Sequence, residues 1–409
     1  MHEPKGPSGR LIRLAIVDDN PFLALPDGEI RPRAATFHRF AEAVVAAGPF
    51  EPARYLIPVR DLGSAEAPTL PPIDRERLQV IRTSPFDGVS GYLSHLPSLT
   101  WRNWPIIRRS IADADLVWIK APASNALLAL AATRRAHRPF FTWVAGSARA
   151  VVRGQRRSGP AGLVAGLVAA GYDAVTGLLR RAGPAIQLDE SLFTSVVTSE
   201  DVTTTRGRPP GDIENGGALR LAWAGRMTAD KGLDDLLAAL ASVRAGGLPA
   251  TLDLVGDGPH RTRLQARADE LALNGAVRWH GYVGRRDVYL DLLRGADVFV
   301  LPSRAEGVPK TIVEAMAAGL PVVASAVGAV PALLDHGSLG RLVPAGDPPA
   351  LAAAITALGG DEPARRGLRS AGLEFAAAHT IENQARRVVA WMRRTFPDLP
   401  WPAREEQAV

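Results

Sequence analysis

The sequence predicts an α/β protein made of two doubly wound parallel-sheet domains, and three observations carry that expectation. Apolar runs of four to eight residues alternate with stretches of helical period, the pattern of strands joined by helical crossovers. Two of these runs, Leu11–Val17 and Leu219–Ala224, read as the first strands of separate sheets. Between them, residues 203–218 (TTTRGRPPGDIENGGA) are rich in Thr, Gly and Pro, lack an apolar period and read as a linker. A chain of 409 residues has length for two cores.

Composition removes several classes. With 46% hydrophobic and 22% charged residues the chain is globular and too apolar to be disordered. It has no cysteine, which excludes disulfides, thiolate metal sites, iron–sulfur clusters and a cysteine nucleophile. Residues 1–10 are polar, with Pro4 and Pro7, and Arg13 interrupts the apolar run that follows, so no signal-peptide core forms and a cytoplasmic location is expected. A net charge of +6 is too small to imply nucleic acid as a partner. The basic residues are unevenly placed: residues 102–181 hold 13 Lys and Arg against 3 Asp and Glu.

In the first half, Leu11–Val17 ends in Asp18-Asp19-Asn20, and Arg31-Pro32 precedes a helix over 33–45. Pro68–Pro72 is a Pro-rich break. Asp113 and Asp115 stand where a helix hands over to strand Leu116–Ile119 and read as a solvated turn. Strand Pro139–Val144 leads into Gly146. Residues 159–179 are apolar enough to raise a membrane span, but Asp173 and several glycines favour a buried crossover helix.

The second half is more sharply punctuated. Lys231-Gly232 precedes a helix over 233–243, strand Leu252–Val255 opens into Gly256-Asp257-Gly258-Pro259, and a helix follows over 262–271. Short strands Val277–His280 and Val298–Leu301 come next, the second ending in Pro302-Ser303. Pro309 suits the first turn of a helix running to Ala318, with Gly319 as its stop and Pro321–Ser325 as the next strand. An Arg-rich helix over 381–396 closes the pattern.

Neither first strand is followed by G-x-G-x-x-G, which disfavours a nicotinamide or flavin enzyme. Gly225 and Arg226 instead follow Leu219–Ala224, with Lys231 and Gly232 before a helix; two cations at the carboxyl edge of a parallel sheet suit a diphosphate, the alternative being a surface Arg and a helix-start Lys that hold no ligand. In Ser303–Ser325, Glu306 stands before the Pro309 helix and Glu314 inside it, seven residues between them. One carboxylate is thus at the helix mouth and the other down its side, an arrangement unlike a glycosidase pair facing one bond. It suits a ligand along the helix start, with phosphate at free backbone N–H groups and sugar hydroxyls at each Glu. An amphipathic helix with a solvated Glu314 is the alternative.

Five segments, AGRMTADKGL (224–233), LVGDGPHRTRL (254–264), VRWHGYV (277–283), ADVFVLPSRAEGVPKTIVEAMAAGLPVVAS (296–325) and LGRLVPAGDPPALAAAI (339–355), resemble in order the nucleotide-binding domain of retaining glycosyltransferases of family 4. The resemblance implies the GT-B fold, two Rossmann-like domains facing a central cleft. It divides the chain into an acceptor-binding domain over 1–202, the linker over 203–218, a nucleotide-sugar domain over 219–378 and a helix over 379–396 packing back on the first domain. It also implies roles. Arg226 and Lys231 hold the donor diphosphate, Glu306 contacts the donor sugar and Glu314 the ribose. Gly225, Gly256, Gly307, Val308, Lys310 and Thr311 belong to the loops whose backbone nears sugar and phosphate, and Tyr282 and Val283 to the wall beside the base. The implied reaction is retaining and metal-independent, with a nucleoside-diphosphate sugar as substrate and no cofactor.

The first half departs from the family. Arg31-Pro32 stands where members often carry Gly-Gly, the segment FFTWVAG lacks their histidine, and Trp118 and Lys120 occupy a strand end where many have His. His38, His95 and His137 read as structural or surface residues. Two alternatives therefore stand beside the transferase: a degenerate nucleotide-binding partner, and another GT-B sugar-nucleotide enzyme such as an epimerase. The acceptor, whether small molecule, lipid-linked or polysaccharide, is left open. Arg149, Arg153, Arg156 and Arg157 raise the expectation of an anionic acceptor or a peripheral membrane contact, against the plainer reading of a solvated basic face.

Overall fold

The computed structural model describes residues 10–32, 37–62, 72–85, 88–144, 159–189, 191–206 and 217–402. It resolves into two compact units. One takes the amino-terminal part of the chain with Gly159–Leu188 and the segment from Glu382 onward, and the other takes Asp189–Ile381.

The first unit contains β1 (Leu14–Val17), β2 (Phe22–Ala24), β3 (Ile30–Pro32), α1 (Phe37–Ala47), β4 (Ala53–Asp61), β5 (Leu78–Thr83), α2 (Gly88–Ala112), β6 (Leu116–Ala121), α3 (Ala126–Arg135), β7 (Phe140–Val144), α4 (Gly159–Ala182) and β8 (Ala185–Gln187). Its sheet runs β3-β2-β4-β1-β6-β7-β8, with β5 also paired to β4. Every pairing is parallel except β2 with β3. The expected helix over 33–45 is described from Phe37, and Arg31-Pro32 lie in β3 instead of before a helix. Proline is tolerated there because β3 is an edge strand. Buried Trp118, Trp143, Phe37, Phe40 and Phe141 form an aromatic core, Trp118 and Trp143 at 5.3 Å between ring centroids.

Asp115 is buried, where the sequence suggests a solvated turn. The β1–β6 register sets Leu14 opposite Leu116, which brings Asp115 to Arg13. Asp115 accepts from Arg10 Nη1 at 2.7 Å and Arg13 Nη2 at 3.0 Å, while Asp113 is exposed. Burial alone would raise the Asp115 carboxyl, but the hydrogen bonds from Arg10 and Arg13 outweigh it and hold the carboxyl below the usual carboxylate range.

The second unit contains α5 (Ser199–Arg206), β9 (Leu219–Ala224), α6 (Leu233–Ala245), β10 (Ala250–Val255), α7 (Arg261–Glu270), β11 (Val277–Gly281), α8 (Arg286–Arg294), β12 (Val298–Leu301), α9 (Lys310–Ala317), β13 (Val322–Ser325), α10 (Val330–Leu333), β14 (Arg341–Val343), α11 (Pro348–Gly360) and α12 (Glu362–Ala378). All its strands are parallel, in the order β11-β10-β9-β12-β13-β14. The central strands VFVL and VVAS are buried along their whole length, as expected of a sheet covered on both faces. In α6 the stripe Leu233, Leu236, Leu237, Leu240 and Val243 is buried, and Asp234 and Asp235 favour its amino terminus. Helices α11 and α12 each start on an Asp side chain, Asp347 and Asp361, that accepts a backbone N–H three residues on.

The boundary differs from the expected one. Residues 189–202 group with the second unit, and residues 203–206, expected as linker, are the last turn of α5. Three arginines explain this: Arg286 reaches Asp201, Arg294 reaches Thr205 Oγ1 and the Asp201 carbonyl, and Arg369 reaches the Thr205 carbonyl. Pro309 is the extended N-cap of α9 and lies just outside the helix. The final helix, α13 (Ile381–Thr395), belongs with the first unit from Glu382 on. There Trp391 and Phe396 pack on Phe141, at 5.3 and 6.4 Å between centroids. Among the described residues no helix is long and apolar enough to cross a membrane.

Candidate functional site

In each sheet the chain leaves its first strand toward one side and later returns to the other, and ligands of open α/β sheets bind at the carboxyl end of that reversal. In the second unit the reversal lies between β9 and β12. The segment after β9 carries Gly225, Arg226 and Lys231, and the one after β12 carries Ser303 to Val308.

Close backbone approach holds these loops together. Gly232 has φ +65°, and a Cβ there would stand 1.9 Å from the Pro302 carbonyl oxygen. Gly256 has φ +136°, and its Cβ would meet the Gly225 carbonyl oxygen at 1.9 Å. Gly256 N–H donates to the Gly281 carbonyl at 2.7 Å, linking the loop after β10 to the end of β11. Arg304 N–H donates to the Asp230 carbonyl at 2.7 Å, and its guanidinium takes both oxygens of Asp235.

Two charged constellations result. Lys231 Nζ donates to Glu306 Oε1 at 2.6 Å, and Ser303 Oγ donates to the same oxygen at 2.7 Å. Among the described residues Glu306 Oε2 accepts no hydrogen bond. Just beyond, α9 begins without a side-chain cap, so backbone N–H groups at Lys310 and Thr311 start the helix with the positive end of its dipole. Gly307 is exposed, and Val308 packs against the unit's core.

Glu314, one turn and more down α9, is only 9% exposed, which removes the solvated alternative. Its Oε1 accepts from Arg286 Nη1 at 3.2 Å and its Oε2 from Tyr289 Oη at 3.1 Å. Burial works against the Arg286 charge, yet Glu314 and Asp201 outweigh it and hold the guanidinium above its ordinary value. Burial, then Glu314, pushes the Tyr289 hydroxyl well above its ordinary value, so it stays a donor. Arg226 and Tyr282 are exposed, and Val283 packs against the unit's core.

Sequence reasoning brought out Lys231, Glu306 and Glu314 but missed Ser303, Arg286, Tyr289 and Asp201. A signal existed for one pair only: Arg286 and Tyr289 are three residues apart and so share a helix face. The basic cluster Arg149, Arg153, Arg156 and Arg157 and most of the linker lie outside the described residues, as do Gly146 and residues 68–71 of the Pro-rich break.

The first unit has its own reversal, between β1 and β6. Fully buried Asp18 accepts from Lys120 Nζ at 2.6 Å and Tyr55 Oη at 2.6 Å. Next to it, burial pushes the Asp19 carboxyl up to about 6, with Lys120 acting against the rise and Asp18 adding to it. Trp118 is core, His38 is buried edge-on to Phe22, and His137 sits in the turn after α3.

Residues 218–361 match the protein-family profile described as "Glycosyl transferases group 1". Over 148 residues the chain is 34% identical to the amylovoran biosynthesis glycosyltransferase AmsK of Erwinia amylovora, covering 34% of this chain and 36% of that protein. Over 221 residues it is 31% identical to D-inositol 3-phosphate glycosyltransferase of Streptomyces coelicolor, covering 46% and 48%. The matches thus span between about a third and a half of these relatives' lengths. Among solved structures, sucrose-phosphate synthase from Thermosynechococcus elongatus superposes with TM-score 0.66 at 20% identity, over 95% of this chain and all of that one. Anabaena HepE, crystallised with UDP-glucose, superposes with TM-score 0.60 at 18% identity, over 94% and 99%. The fold is GT-B.

Proposed function

We propose that the chain is a retaining glycosyltransferase that moves a sugar from a nucleoside-diphosphate sugar to an acceptor hydroxyl. One observation carries this reading furthest: the Lys231–Glu306 pair at 2.6 Å, at the β9–β12 reversal and beside the uncapped start of α9. A diphosphate there meets the Lys231 ammonium, the Arg226 guanidinium, the backbone of the Gly307-Val308 loop and the first N–H groups of α9, at Lys310 and Thr311. Lys231 has three donor hydrogens, so it can keep Glu306 and still take a phosphate oxygen. Glu306 Oε2 is open for a hydroxyl of the transferred sugar.

Such a site works by stabilising charge as it develops on the departing diphosphate, while the sugar becomes oxocarbenium-like. These groups supply that stabilisation without a metal. Glu314 takes the ribose, and Tyr282 and Val283 stand beside the base. The first unit takes the acceptor at the carboxyl edge of β1 and β6. The group 1 profile over 218–361 and the activities named for AmsK and the inositol-phosphate enzyme support the transferase; the UDP-glucose held by HepE supports a nucleotide-sugar donor.

The test is release of nucleoside diphosphate from a panel of sugar nucleotides, with and without hydroxyl acceptors. Release that depends on acceptor, with the product keeping the donor's anomeric configuration, is expected. Nucleotide binding without any turnover would refute the transferase, and conversion of the donor sugar without release would indicate an epimerase.

A further inference from the structure

The hydrogen bonds around Glu314 do more than bury a carboxylate. Both oxygens are engaged, Oε1 by Arg286 and Oε2 by Tyr289, and both donors stand on the same face of α8. Arg286 is shared. Its Nε and Nη2 donate to Asp201 Oδ2 at 3.2 and 2.6 Å, while Nη1 turns to Glu314. Asp201 is held in turn: its Oδ2 accepts from Thr198 N–H at 2.8 Å, and its own N–H donates to Thr198 Oγ1 at 3.1 Å, a reciprocal cap at the start of α5. A planar guanidinium spans α5 and α9 in one rigid fork; an ammonium cannot reproduce that geometry.

We propose that Arg286 is a positioning residue for nucleotide recognition, fixing the Glu314 carboxylate, together with Tyr289, so that its remaining acceptor positions meet the ribose hydroxyls. The inference rests on the reading of Glu314 as the ribose partner. An ionised carboxylate has about four acceptor positions, and the clamp takes two, leaving the others for a vicinal diol. Without Arg286 the carboxylate swings and its buried charge loses its partner. Tyr289 then holds one oxygen alone. Through Asp201 the same fork makes ribose recognition depend on how α5 is seated.

The experiment is calorimetric titration of the full chain with UDP, ADP and GDP and with their 2′,3′-dideoxy counterparts, which lack the diol. The unaltered protein is expected to prefer the ribose form of the base it binds by about tenfold or more. Arg286→Ala should weaken the ribose form by about 10- to 100-fold and bring the preference to within about twofold, because only the diol loses its partner. Arg286→Lys should restore part of the preference and Tyr289→Phe should reduce it less. A folded Arg286→Ala protein that keeps the full preference overturns the proposal and leaves nucleotide binding standing. If Arg286→Ala does not fold, Asp201→Asn decides: a preference reduced several-fold supports the clamp, and an unchanged one overturns it. Absence of binding to all three ribonucleotides in the unaltered protein overturns the ribose reading itself and this proposal with it.

Discussion

Replacing Gly232 by alanine tests whether close backbone approach builds the site. At φ +65° an L side chain costs about 1–2 kcal/mol. The added Cβ stands 1.9 Å from the Pro302 carbonyl oxygen, so the turn before α6 or the end of β12 must retreat by about 1 Å. Forced repacking of that kind costs about 1–3 kcal/mol more. The total, about 3 kcal/mol in a unit of this size, lowers Tm by about 6–12 °C. The retreat also separates Lys231, the preceding residue, from Glu306 and Ser303, so nucleotide affinity should fall along with Tm. Scanning calorimetry and nucleotide titration read the two effects. Gly307→Ala is the stability control, since nothing lies within 4 Å of its Cβ. A Gly232→Ala protein with unaltered Tm would refute the steric argument; a lowered Tm with unaltered affinity would refute the link to Lys231.

Other outcomes follow from the same geometry. Glu314→Ala should chiefly raise the donor KM and Glu306→Ala chiefly lower kcat, with Lys231→Ala slowing turnover by about 10² to 10³; steady-state kinetics would show equal, small effects if the pose is wrong. Burial pushes the Glu42 carboxyl from 4.5 up to about 7 in the folded chain, with its Oε1 accepting Asp74 N–H. Unfolded chains ionise first, so stability should fall as pH rises from about 4.5 to 7 and level off above, by up to about 3 kcal/mol; Glu42→Gln should flatten that slope in denaturant titrations at stepped pH. Changing Arg153, Arg156 and Arg157 together to Gln should weaken low-salt binding to anionic vesicles and leave neutral vesicles unaffected; binding alike on both lipids in sedimentation assays would exclude a membrane role for the basic segment.

Glycine and proline punctuation made the second unit legible: strands Leu219–Ala224 and Val298–Leu301 run between the residues that pattern marks. The first unit is harder to read because its elements break local rules. Helix α2 carries Pro97 and Pro105 inside it, and the β2–β3 hairpin is only three residues a strand. Helix α5 has polar, Thr-rich composition and is stabilised by arginines 80 and more residues away, which no window of sequence can register. The site divides the same way. Glu306 and Glu314 share a segment, so their spacing is visible, whereas the Arg286 fork joins residues separated by 85 and 28 positions. Asp115 looked solvated for the same reason, its two arginines arriving through strand register.

The aromatic seam of Phe141 with Trp391 and Phe396 has a consequence for synthesis on the ribosome. Residues 189–381 form one uninterrupted stretch and can close on themselves as they emerge. The first unit cannot, because the partners of Phe141 are translated about 250 residues after it. At about 5–20 residues per second, that face of the sheet waits roughly 10 to 50 s for its cover. Over that interval a nascent chain carries one finished unit and one half-clad aromatic surface, a client for chaperones. A chain stopped just after residue 381 would keep its second unit and be lost to aggregation through the first.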